Sequence, residues 1–258
     1  MNVEQKVTAI IKAFERPECL DLLINSIKKY YPKLKIIVAD DSQNPQPRND
    51  VEFHVLPFNI GMSKGRNFLI QQVKTPYVLV LDDDYCFIKE TKIEKLLHVL
   101  ENSDVDIVGG RWIWKNRVHS YHGKLNYKDG VLTHTKDSYG EEAGCKLYDI
   151  IHNFFLARTD VLIKHPWDDR LKVFHHIDFF FSHKGKMKVA LHPEVFIYHK
   201  QVQKKHYQKY RFQTQDSYLL YEKKHGIKEF KSAGSKSHFE KINYKKYFSQ
   251  ETISAYLT

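Results

Sequence analysis

The stretch Tyr77-Val78-Leu79-Val80-Leu81-Asp82-Asp83-Asp84 joins a run of apolar residues to three consecutive acids. The apolar run is rich in Val and Leu, has the length of one strand, and follows the helix-breaking pair Thr75-Pro76. In sheets built from parallel strands, ligands bind beyond the carboxyl ends of the strands. The stretch therefore predicts a buried strand that presents a cluster of carboxylates at a ligand-binding edge.

Strands and helices alternate on the N-terminal side of this stretch. Strands are predicted at Val7–Ile11, Lys35–Ala39 and Glu52–Leu56, with helices at Cys19–Lys29 and Arg66–Val73. Alternation of this kind favours a mostly parallel sheet with helices on both faces. The sequence therefore predicts an α/β fold with a Rossmann-like central sheet.

The alternation becomes irregular after residue 84. We expect a helix at Thr91–Leu100, a strand at Ile107–Trp114 and a hairpin-like excursion at Lys115–Val131. Further strands and short helices are expected at Ile150–Leu156, Thr159–Lys164, Ile177–Ser182, Lys188–Leu191 and Val195–Tyr198. The predicted organisation is one domain at 1–200, in two halves that meet near residue 105, and a helical C-terminal extension at 201–258.

The C-terminal extension carries most of the positive charge. The chain has a formal charge of +10, and residues 200–258 contain 13 Lys and Arg against 5 Asp and Glu. Eleven aromatic residues lie among these cations, and Tyr207–Lys223 has the spacing of an amphipathic helix. Since a nucleic-acid binder would spread its positive charge more evenly, we expect no nucleic acid. An anionic membrane surface is the expected partner of the extension.

The sequence lacks the patterns of secreted and membrane-spanning proteins. The longest apolar runs are strand-sized, well short of the roughly 20 residues that cross a bilayer, and Met1–Lys6 does not resemble a secretion signal. The three cysteines, Cys19, Cys86 and Cys145, form no C-x-x-C pair, which argues against a disulfide framework and a thiolate metal site. We therefore expect a cytoplasmic protein, peripheral on the inner face of the membrane if the extension binds lipid.

The acids Asp82, Asp83 and Asp84 would repel one another unless a cation lies between them. A solvated acidic turn or helix cap is the simpler interpretation of an isolated acidic triplet. However, Asp40-Asp41-Ser42 ends another strand and would bring two more carboxylates to the same edge. Because hard oxygen ligands suit Mg²⁺ or Mn²⁺ carrying a diphosphate, the sequence favours a metal site here.

Two further clusters favour nucleotide binding at this edge. Asp40 and Asp41 can accept hydrogen bonds from a base or a ribose hydroxyl, although a turn cap is the alternative. The segment Gly61–Asn67 lacks the Lys-Ser/Thr ending of a P-loop. It places Lys64 and Arg66 near a helix start, where an anion is favoured.

The aromatic and histidine residues of the second half allow more than one interpretation. Trp112 and Trp114 alternate along one strand and so share a face, where they either pack in the core or stack on a sugar ring. His119 and His122 invite a zinc site, but no second pair of ligands and no cysteine accompanies them. We therefore expect surface or cleft histidines rather than zinc ligands.

Four ordered motifs resemble the donor half of GT-A glycosyltransferases. They are Val7–Arg16, Val38–Ser42, Gly65–Asn67 and Tyr77–Asp84. The second half is similar to the β-1,4-N-acetylgalactosaminyltransferases that make ganglioside-type linkages, through Asn153–Asp160, Asp169–Leu171 and His176–Phe180. The resemblance covers about Val7 to Lys200, and bacterial family 2 glycosyltransferases share its first half more loosely. It implies the GT-A fold, with a donor half at 1–105 and an acceptor half at 106–200.

The resemblance implies a UDP-sugar donor bound at the strand ends. Asp84 and Asp82 would bind a Mn²⁺ or Mg²⁺ ion that bridges the diphosphate, and His199 corresponds to a late metal-binding or phosphate-binding histidine. The residues implied in donor binding are Lys12, Phe14, Arg16, Asp40, Asp41, Lys64, Arg66, Asp82 and Asp83. Those implied in acceptor binding are Trp112, Trp114 and His176.

The implied reaction is an inverting single displacement. A base on the acceptor side takes a hydroxyl proton while a cation accepts the charge that develops on the leaving diphosphate. Asp178 corresponds to the family's acidic base, where close relatives often have Glu, and His175 or His176 could replace it. The transferred sugar would be an N-acetylhexosamine, namely GalNAc from UDP-GalNAc. It would be joined in β linkage to a free or lipid-linked glycan.

Other functions are open at this point. UDP-galactose and UDP-glucose are alternative donors on the same scaffold, because the sequence does not distinguish substituents at C2 of the sugar. A non-catalytic module that binds a sugar, a nucleotide or a nucleic acid is the alternative of another class.

Overall fold

The structure, a computed structural model, describes residues 2–200, 205–211, 215–232, 239–240 and 242–257. Its strands in chain order are β1 Val7–Ala13, β2 Lys35–Asp40, β3 Glu52–Val55, β4 Tyr77–Asp82, β5 Tyr85–Cys86, β6 Ile107–Trp114, β7 Arg117–His119, β8 His122–Lys128, β9 Val131–Thr135, β10 Gly140–Glu142, β11 Cys145–Tyr148, β12 Ile150–Ile151, β13 Phe155–Arg158, β14 Val189–His199, β15 Glu229–Ser232 and β16 Phe239–Glu240. Its helices are α1 Val3–Lys6, α2 Pro17–Tyr30, α3 Met62–Gln72, α4 Ile93–Glu101, α5 Thr159–Lys164, α6 His175–Ser182, α7 Lys205–Arg211, α8 Gln215–His225, α9 Tyr244–Tyr247 and α10 Gln250–Tyr256.

The central sheet has the spatial order β3-β2-β1-β4-β13-β6-β14-β11-β10. The pairs β1–β2, β1–β4, β2–β3 and β6–β14 are parallel. Strand β13 lies antiparallel between β4 and β6. Strands β1 to β4, β6 and β14 therefore all point the same way, which confirms the predicted α/β fold with a mostly parallel sheet.

Both faces of the sheet are covered by helices. Along β1, Ala9 and Ile11 pack in a core with α2 and α4, whereas Ile10 packs in a core with α3, α5 and α6. This alternation follows from the period of two along a strand. In α2 the apolar residues recur at helical spacing, so that one stripe is buried; it consists of Leu20, Leu23, Ile24 and Ile27. The prediction of helices on both faces is confirmed.

A smaller second sheet, of order β12-β8-β9-β15, occupies the predicted excursion. Strands β8 and β9 form an antiparallel hairpin whose two-residue turn is Asp129-Gly130. Both turn residues have positive φ, 51° and 82°, as a tight hairpin of this kind requires. The hairpin predicted within Lys115–Val131 is therefore confirmed, and its second strand continues to Thr135.

Two strand predictions were wrong in their boundaries. The expected strand Ile150–Leu156 is two strands in different sheets, β12 and β13, because the chain leaves one sheet for the other at residues 152–154. The expected strands Lys188–Leu191 and Val195–Tyr198 are one strand, β14, whose register with β6 shifts between Leu191 and Phe196. A shift of this kind explains why His192-Pro193-Glu194 interrupts the apolar pattern without ending the strand.

The described parts of the extension pack on the domain. Helices α7 and α8 lie within the predicted helical stretch Tyr207–Lys223, although residues 212–214 are outside the described part. Tyr221 and Ile227 join the core that contains α3 and α6, whereas Phe248 and Leu257 pack against Ile113 and Phe196. A domain boundary at residue 200 stays a prediction. In the parts of the chain listed above, no helix is both long and apolar enough to cross a membrane.

Candidate active site

A cavity of about 930 Å³ opens at the carboxyl ends of the parallel strands. The donor half contributes Lys12, Phe14, Arg16, Asp41, Asn59, Gly61, Met62, Asp82 and Asp84 to its wall. The acceptor half contributes Trp112, Tyr121, His152, Asn153, Arg170, Lys172, Val173, Phe174, His175, His176 and His199, and the extension contributes Tyr207, Tyr210, Asp216 and Ser217. The cavity therefore lies at the edge where the sequence predicts a ligand site.

Buried ion pairs hold the acids of the donor half. The Lys12 ammonium pairs with Asp41, and the Arg16 guanidinium pairs with both Asp83 and Asp84. Arg66 Nη2 donates to Asp82 Oδ1 at 2.6 Å. Each acid of the triplet thus has an arginine partner, which offsets the cost of burying carboxylates beside one another. Burial lowers the pKa of Lys12 even though Asp41 opposes this effect.

A glycine positions one of these acids. Asp41 Oδ2 accepts a hydrogen bond at 3.0 Å from the backbone N–H of Gly61, which caps α3. Gly61 has φ 98°, and a Cβ atom there would lie 2.7 Å from Cγ of Lys172. Only glycine fits this backbone without strain.

Asp84 is shared between Arg16 and His199. Its Oδ2 lies 2.6 Å from Arg16 Nη1 and 3.2 Å from His199 Nε2. Burial alone would raise the pKa of Asp84, but the hydrogen bond from His199 and the charge of Arg16 outweigh it and hold the pKa below its usual value. For Asp83, burial prevails over the attraction of Arg16 and raises the pKa to about 6. Of these two neighbouring acids, Asp84 lines the cavity and is held anionic, whereas Asp83 does not line the cavity and is more readily protonated.

Aromatic side chains form part of the cavity wall contributed by residues 106–200. The Trp112 ring stacks on the ring of His152, with 4.0 Å between centroids, and the Tyr85 hydroxyl lies 2.6 Å from His152 Nδ1. Trp112 is 8% exposed and lines the cavity, whereas Trp114 packs against His119 and Lys115 and does not. Trp112 is therefore both a core residue and a residue of the cavity wall, and stacking on a sugar ring stays a prediction.

His176 and Asp178 lie on α6 but have different surroundings. His176 lines the cavity, and its Nε2 lies 2.6 Å from the carbonyl oxygen of Ile151. Burial lowers the pKa of His176 to about 4. Asp178 is 1% exposed, does not line the cavity and pairs with Lys224 and His225 of α8, at 2.8 Å and 2.6 Å. In this arrangement the Asp178 carboxylate faces the extension rather than the cavity.

The extension covers the cavity next to Phe14 and Arg16. The Arg16 guanidinium lies 4.3 Å from the centre of the Tyr207 ring, and the Tyr210 ring contacts Phe14 edge-on with 5.3 Å between centroids. Tyr207 and Tyr210 are three residues apart and therefore lie on the same face of α7. The sequence analysis missed both residues, although their spacing among the cations of the extension was a signal for them.

The structure brings most of the predicted site residues to the cavity. Those that line it are Lys12, Phe14, Arg16, Asp41, Asp82, Asp84, Trp112, His176 and His199. Those that do not line it are Asp40, Lys64, Arg66, Asp83, Trp114 and Asp178. Arg66 and Asp83 contact residues of the wall, Asp40 accepts hydrogen bonds from Ser42, and Lys64 is exposed on α3. The binding and catalytic roles of all these residues stay predictions.

Several residues of the wall were missed. His152 and Asn153 lie where the chain crosses between the two sheets, and Asn153 Nδ2 is 3.3 Å from Asp82 Oδ2. Phe174 has φ 60° immediately before α6 and stacks on Tyr221. Positive φ at an aromatic residue is uncommon and has no sequence signal.

Comparisons with known proteins bear on the fold and the family of the chain. A model of the family described as glycosyl transferase family 2 matches residues 8–165. The chain is 39% identical over 207 residues to beta-1,4 N-acetylgalactosaminyltransferase 2 of Mus musculus, covering 77% of this chain and 40% of the relative. It is 37% identical over 211 residues to beta-1,4 N-acetylgalactosaminyltransferase 1 of Rattus norvegicus, covering 77% and 39%. The chain thus spans about two fifths of the length of these relatives.

Solved structures support the fold. The crystal structure of S. aureus TarS 1–349 in complex with UDP-GlcNAc is similar, with a TM-score of 0.59 and 16% identity, over 83% of this chain and 64% of that one. At this identity the similarity bears on the GT-A fold alone. The family model matches more than half of the chain, across the strands that carry the acids and cations of the cavity. The chain therefore belongs to glycosyl transferase family 2.

Proposed function

We propose that the chain transfers N-acetylgalactosamine from UDP-N-acetylgalactosamine to a hydroxyl group of a glycan, with inversion at the anomeric carbon. The observation that carries the proposal is the cavity itself, where Lys12, Arg16, Asp84 and His199 meet beside an aromatic acceptor wall. The names of the relatives support the choice of donor sugar and of a β linkage. UDP-galactose and UDP-glucose are the alternative donors to be tested beside it.

The donor side has the charges that a nucleoside diphosphate requires. Lys12 and Arg16 line the cavity as buried cations, and such cations favour a diphosphate. Asp41 lies at the end of β2 with its carboxylate held by Lys12 and by Gly61. In the proposal it accepts a hydrogen bond from the ribose or the uracil, against which the Phe14 ring packs.

The donor atoms around Asp84 fit a divalent cation. The Asp84 carboxylate is an oxygen ligand of the kind that Mn²⁺ and Mg²⁺ prefer, and the imidazole of His199 lies 3.2 Å from it. Asp82 lies beside them on the cavity wall. Within the described ranges no three His, Cys, Asp or Glu residues are grouped to hold a metal by themselves. In Mg²⁺-type sites, one or two carboxylates share the ion with substrate phosphates and water.

In the proposed reaction the protein binds and orients the two substrates. A metal held by Asp84, His199 and Asp82 would neutralise charge on the leaving diphosphate. Arg16 and Lys12 add fixed positive charge on the same side, in a site where buried charges act more strongly than in water. Trp112 presents part of an aromatic surface to the acceptor sugar.

The decisive experiment is release of UDP from a panel of UDP-sugars with Mn²⁺, Mg²⁺ or EDTA, with and without glycan acceptors. We expect turnover of UDP-GalNAc that stops when EDTA is added. If UDP-galactose or UDP-glucose is turned over instead, that UDP-sugar is the donor in place of UDP-GalNAc. No turnover and no calorimetric binding of any UDP-sugar would favour a binding module over an enzyme.

A matched pair of histidines on β14 tests the metal part of the proposal. His199→Gln removes a proposed ligand, and we expect the apparent Mn²⁺ affinity to fall roughly 10- to 100-fold. His192→Gln changes the same residue type on the same strand, but His192 does not line the cavity. If both variants bind Mn²⁺ as the wild type does, the ligand assignment is wrong.

A cytoplasmic location and membrane contact through the extension are further parts of the proposal. They are supported by exposed lysines of the extension; these are Lys209, Lys223, Lys228, Lys231, Lys245 and Lys246. Leu219 and Phe230 are exposed nearby in sequence, at 54% and 41%. Co-sedimentation with anionic and with neutral vesicles tests the contact, which is supported only if binding needs the anionic lipid and weakens with salt. An oligonucleotide of equal charge is the control, for which we expect no specific binding.

A further inference from the structure

A second cavity, of about 510 Å³, lies at the opposite edge of the sheet from the active site. Lys188 lines it immediately before β14 begins at Val189, whereas His199 lines the active-site cavity at the end of the same strand. The strand from Val189 to His199 spans roughly 30 Å. Among the described residues, none lines both cavities. A ligand of the second cavity therefore does not compete with a ligand of the active site.

The wall of this second cavity is rich in lysine. Its charged residues are Lys124, Lys184, Lys186, Lys188 and a single acid, Asp149. One of the lysines comes from β8 of the small sheet, and the other three lie in the connection between α6 and β14. Ammonium groups that share a cavity repel one another, and a bound anion offsets this repulsion. The wall therefore has the charge of an anion site.

Lys184 is fixed in the wall by two oxygen atoms. Its Nζ lies 3.0 Å from Asp149 Oδ2 and also donates to the carbonyl oxygen of Leu125. The same carboxylate oxygen accepts from the backbone N–H of Leu125 at 2.9 Å, so the acid itself is held by β8. The charges of Lys184 and Asp149 therefore compensate each other.

Lys188 is held in a similar way. Its Nζ lies 2.7 Å from Glu142 Oε2 and 4.0 Å from Oδ2 of Asp104. Glu142 is the partner that compensates its charge, because Asp104 is farther away and, at 95% exposure, screened by solvent. An ammonium group has three N–H donors, so Lys184 and Lys188 each keep at least one for a ligand.

The remaining two lysines, Lys124 and Lys186, form no ion pair with a carboxylate in the ranges that the structure describes. Lys186 Nζ lies 3.3 Å from the carbonyl oxygen of Ser182, a neutral acceptor, and Lys124 is half-buried. Two positive charges of the cavity are therefore not compensated by the protein. A phosphate monoester carries a charge of about −1.5 to −2 at pH 7, whereas a carboxylate carries a single negative charge. The charge of the cavity thus favours a phosphate monoester.

The cavity also has an apolar part. Met187 and Tyr139 line it; Met187 is buried, and Tyr139 is 45% exposed. Sites for small organic ligands have volumes of roughly 300–1,000 Å³ and combine apolar or aromatic side chains with a few polar groups. The second cavity falls in this range, so the carbon skeleton of an ester fits it better than a bare phosphate ion does.

We propose that the second cavity binds the phosphate group of a phosphate monoester, carried either by a small soluble molecule or by a phospholipid headgroup. The phosphate binds to Lys124 and Lys186, and the two lysines held by carboxylates add further donors. The carbon atoms next to the phosphate contact the Tyr139 ring. This site goes beyond the proposed transferase activity, and neither proposal depends on the other.

The test measures how fast single lysines of the wild-type protein are acetylated, by mass spectrometry, with and without a phosphate monoester. The probes are glycerol 3-phosphate and vesicles of phosphatidylcholine with or without phosphatidic acid. At ten times its Kd, a bound probe should slow the acetylation of Lys124 and Lys186 about tenfold. Lys33 and Lys89 are the controls, since both are exposed and line neither cavity. Their acetylation should be unchanged.

Either probe can support the proposal, and the two identify the source of the phosphate. Protection by glycerol 3-phosphate indicates a soluble ester, whereas protection only by vesicles that contain phosphatidic acid indicates a lipid headgroup. The proposal is overturned if neither probe protects Lys124 and Lys186 more than it protects Lys33 and Lys89.

A second measurement uses variants of matched charge. The double variant Lys124→Gln with Lys186→Gln should bind the protecting probe about tenfold or more weakly than the wild type. Lys33→Gln with Lys89→Gln removes the same charge elsewhere and should bind it as the wild type does. Equal affinity of the two double variants would also overturn the proposal. Both should keep the kcat of the wild type for UDP-sugars, so a wild type without turnover would contradict the proposed function alone.

Discussion

Nη1 of Arg16 lies 2.6 Å from Oδ2 of Asp84, the oxygen that also faces Nε2 of His199. The arginine thereby connects the loop after β1 to the acids after β4 and takes the place of a cation between them. The first prediction concerns Arg16→Met, which leaves Asp83 and Asp84 buried without this partner. We expect the free energy of unfolding to fall by about 3–5 kcal/mol without metal, and Mn²⁺ to restore part of it. Urea denaturation with EDTA or Mn²⁺ measures both effects.

The control for this prediction is Arg48→Met. Arg48 also bridges two acids, Asp21 and Asp50, but at the surface, where salt bridges contribute little. We expect a smaller loss of stability and no effect of Mn²⁺. Equal losses in the free energy of unfolding of the two arginine variants would contradict the expectation that the buried bridge of Arg16 stabilises the fold more than the surface bridge of Arg48.

The second prediction concerns the junction of α8 with α6. Lys224→Met leaves the buried Asp178 without its ammonium partner, so we expect a loss of about 3 kcal/mol in the free energy of unfolding. The double variant Asp178→Leu with Lys224→Met should lose less than the sum of the single variants, because it leaves no unpaired buried charge. A double-mutant cycle by urea denaturation measures the coupling. Lys95→Met, which breaks the exposed pair with Glu194, is the control.

The third prediction concerns Tyr207, whose ring faces the Arg16 guanidinium. Tyr207→Ala removes this contact and opens the donor side of the cavity, so we expect UDP to bind about fivefold more weakly, equivalent to about 1 kcal/mol. Tyr207→Phe keeps the ring and should bind UDP nearly as the wild type does. Isothermal titration calorimetry with UDP measures the affinity of the three proteins. An unchanged affinity for UDP in Tyr207→Ala would show that α7 does not contribute to donor binding.

The fourth prediction is a pH dependence of stability due to His176. Burial lowers its pKa to about 4, below the value of roughly 6.5 in an unfolded chain. Between these values the unfolded chain binds a proton that the folded protein does not, so stability falls as the pH falls from about 6.5 to 4. The difference between the two pKa values corresponds to roughly 3 kcal/mol in the free energy of unfolding. Urea denaturation across this pH range should show that the free energy of unfolding declines less in His176→Gln than in the wild type. Parallel plots of this free energy against pH would contradict a contribution from His176.

Much of the donor half follows from the sequence because its signals are local. Apolar runs followed by acids predict strands and the acids at their ends, and Asp41 and Asp84 both reach the cavity. The division of Ile150–Leu156 between two sheets depends on pairing with β8 and β4, which no local pattern encodes. Asp178 shows the same limit, since its partners lie 46 and 47 residues away in the chain.

The packing of α7 and α8 on the cavity has a consequence for biosynthesis. Lys12 to His199 can assemble most of the wall as the chain leaves the ribosome, but Tyr207, Tyr210, Asp216 and Ser217 emerge later. At about 5–20 residues per second, Ser217 follows His199 by roughly one to four seconds. Nascent chains interrupted between these residues would therefore retain the cavity's charges without its cover.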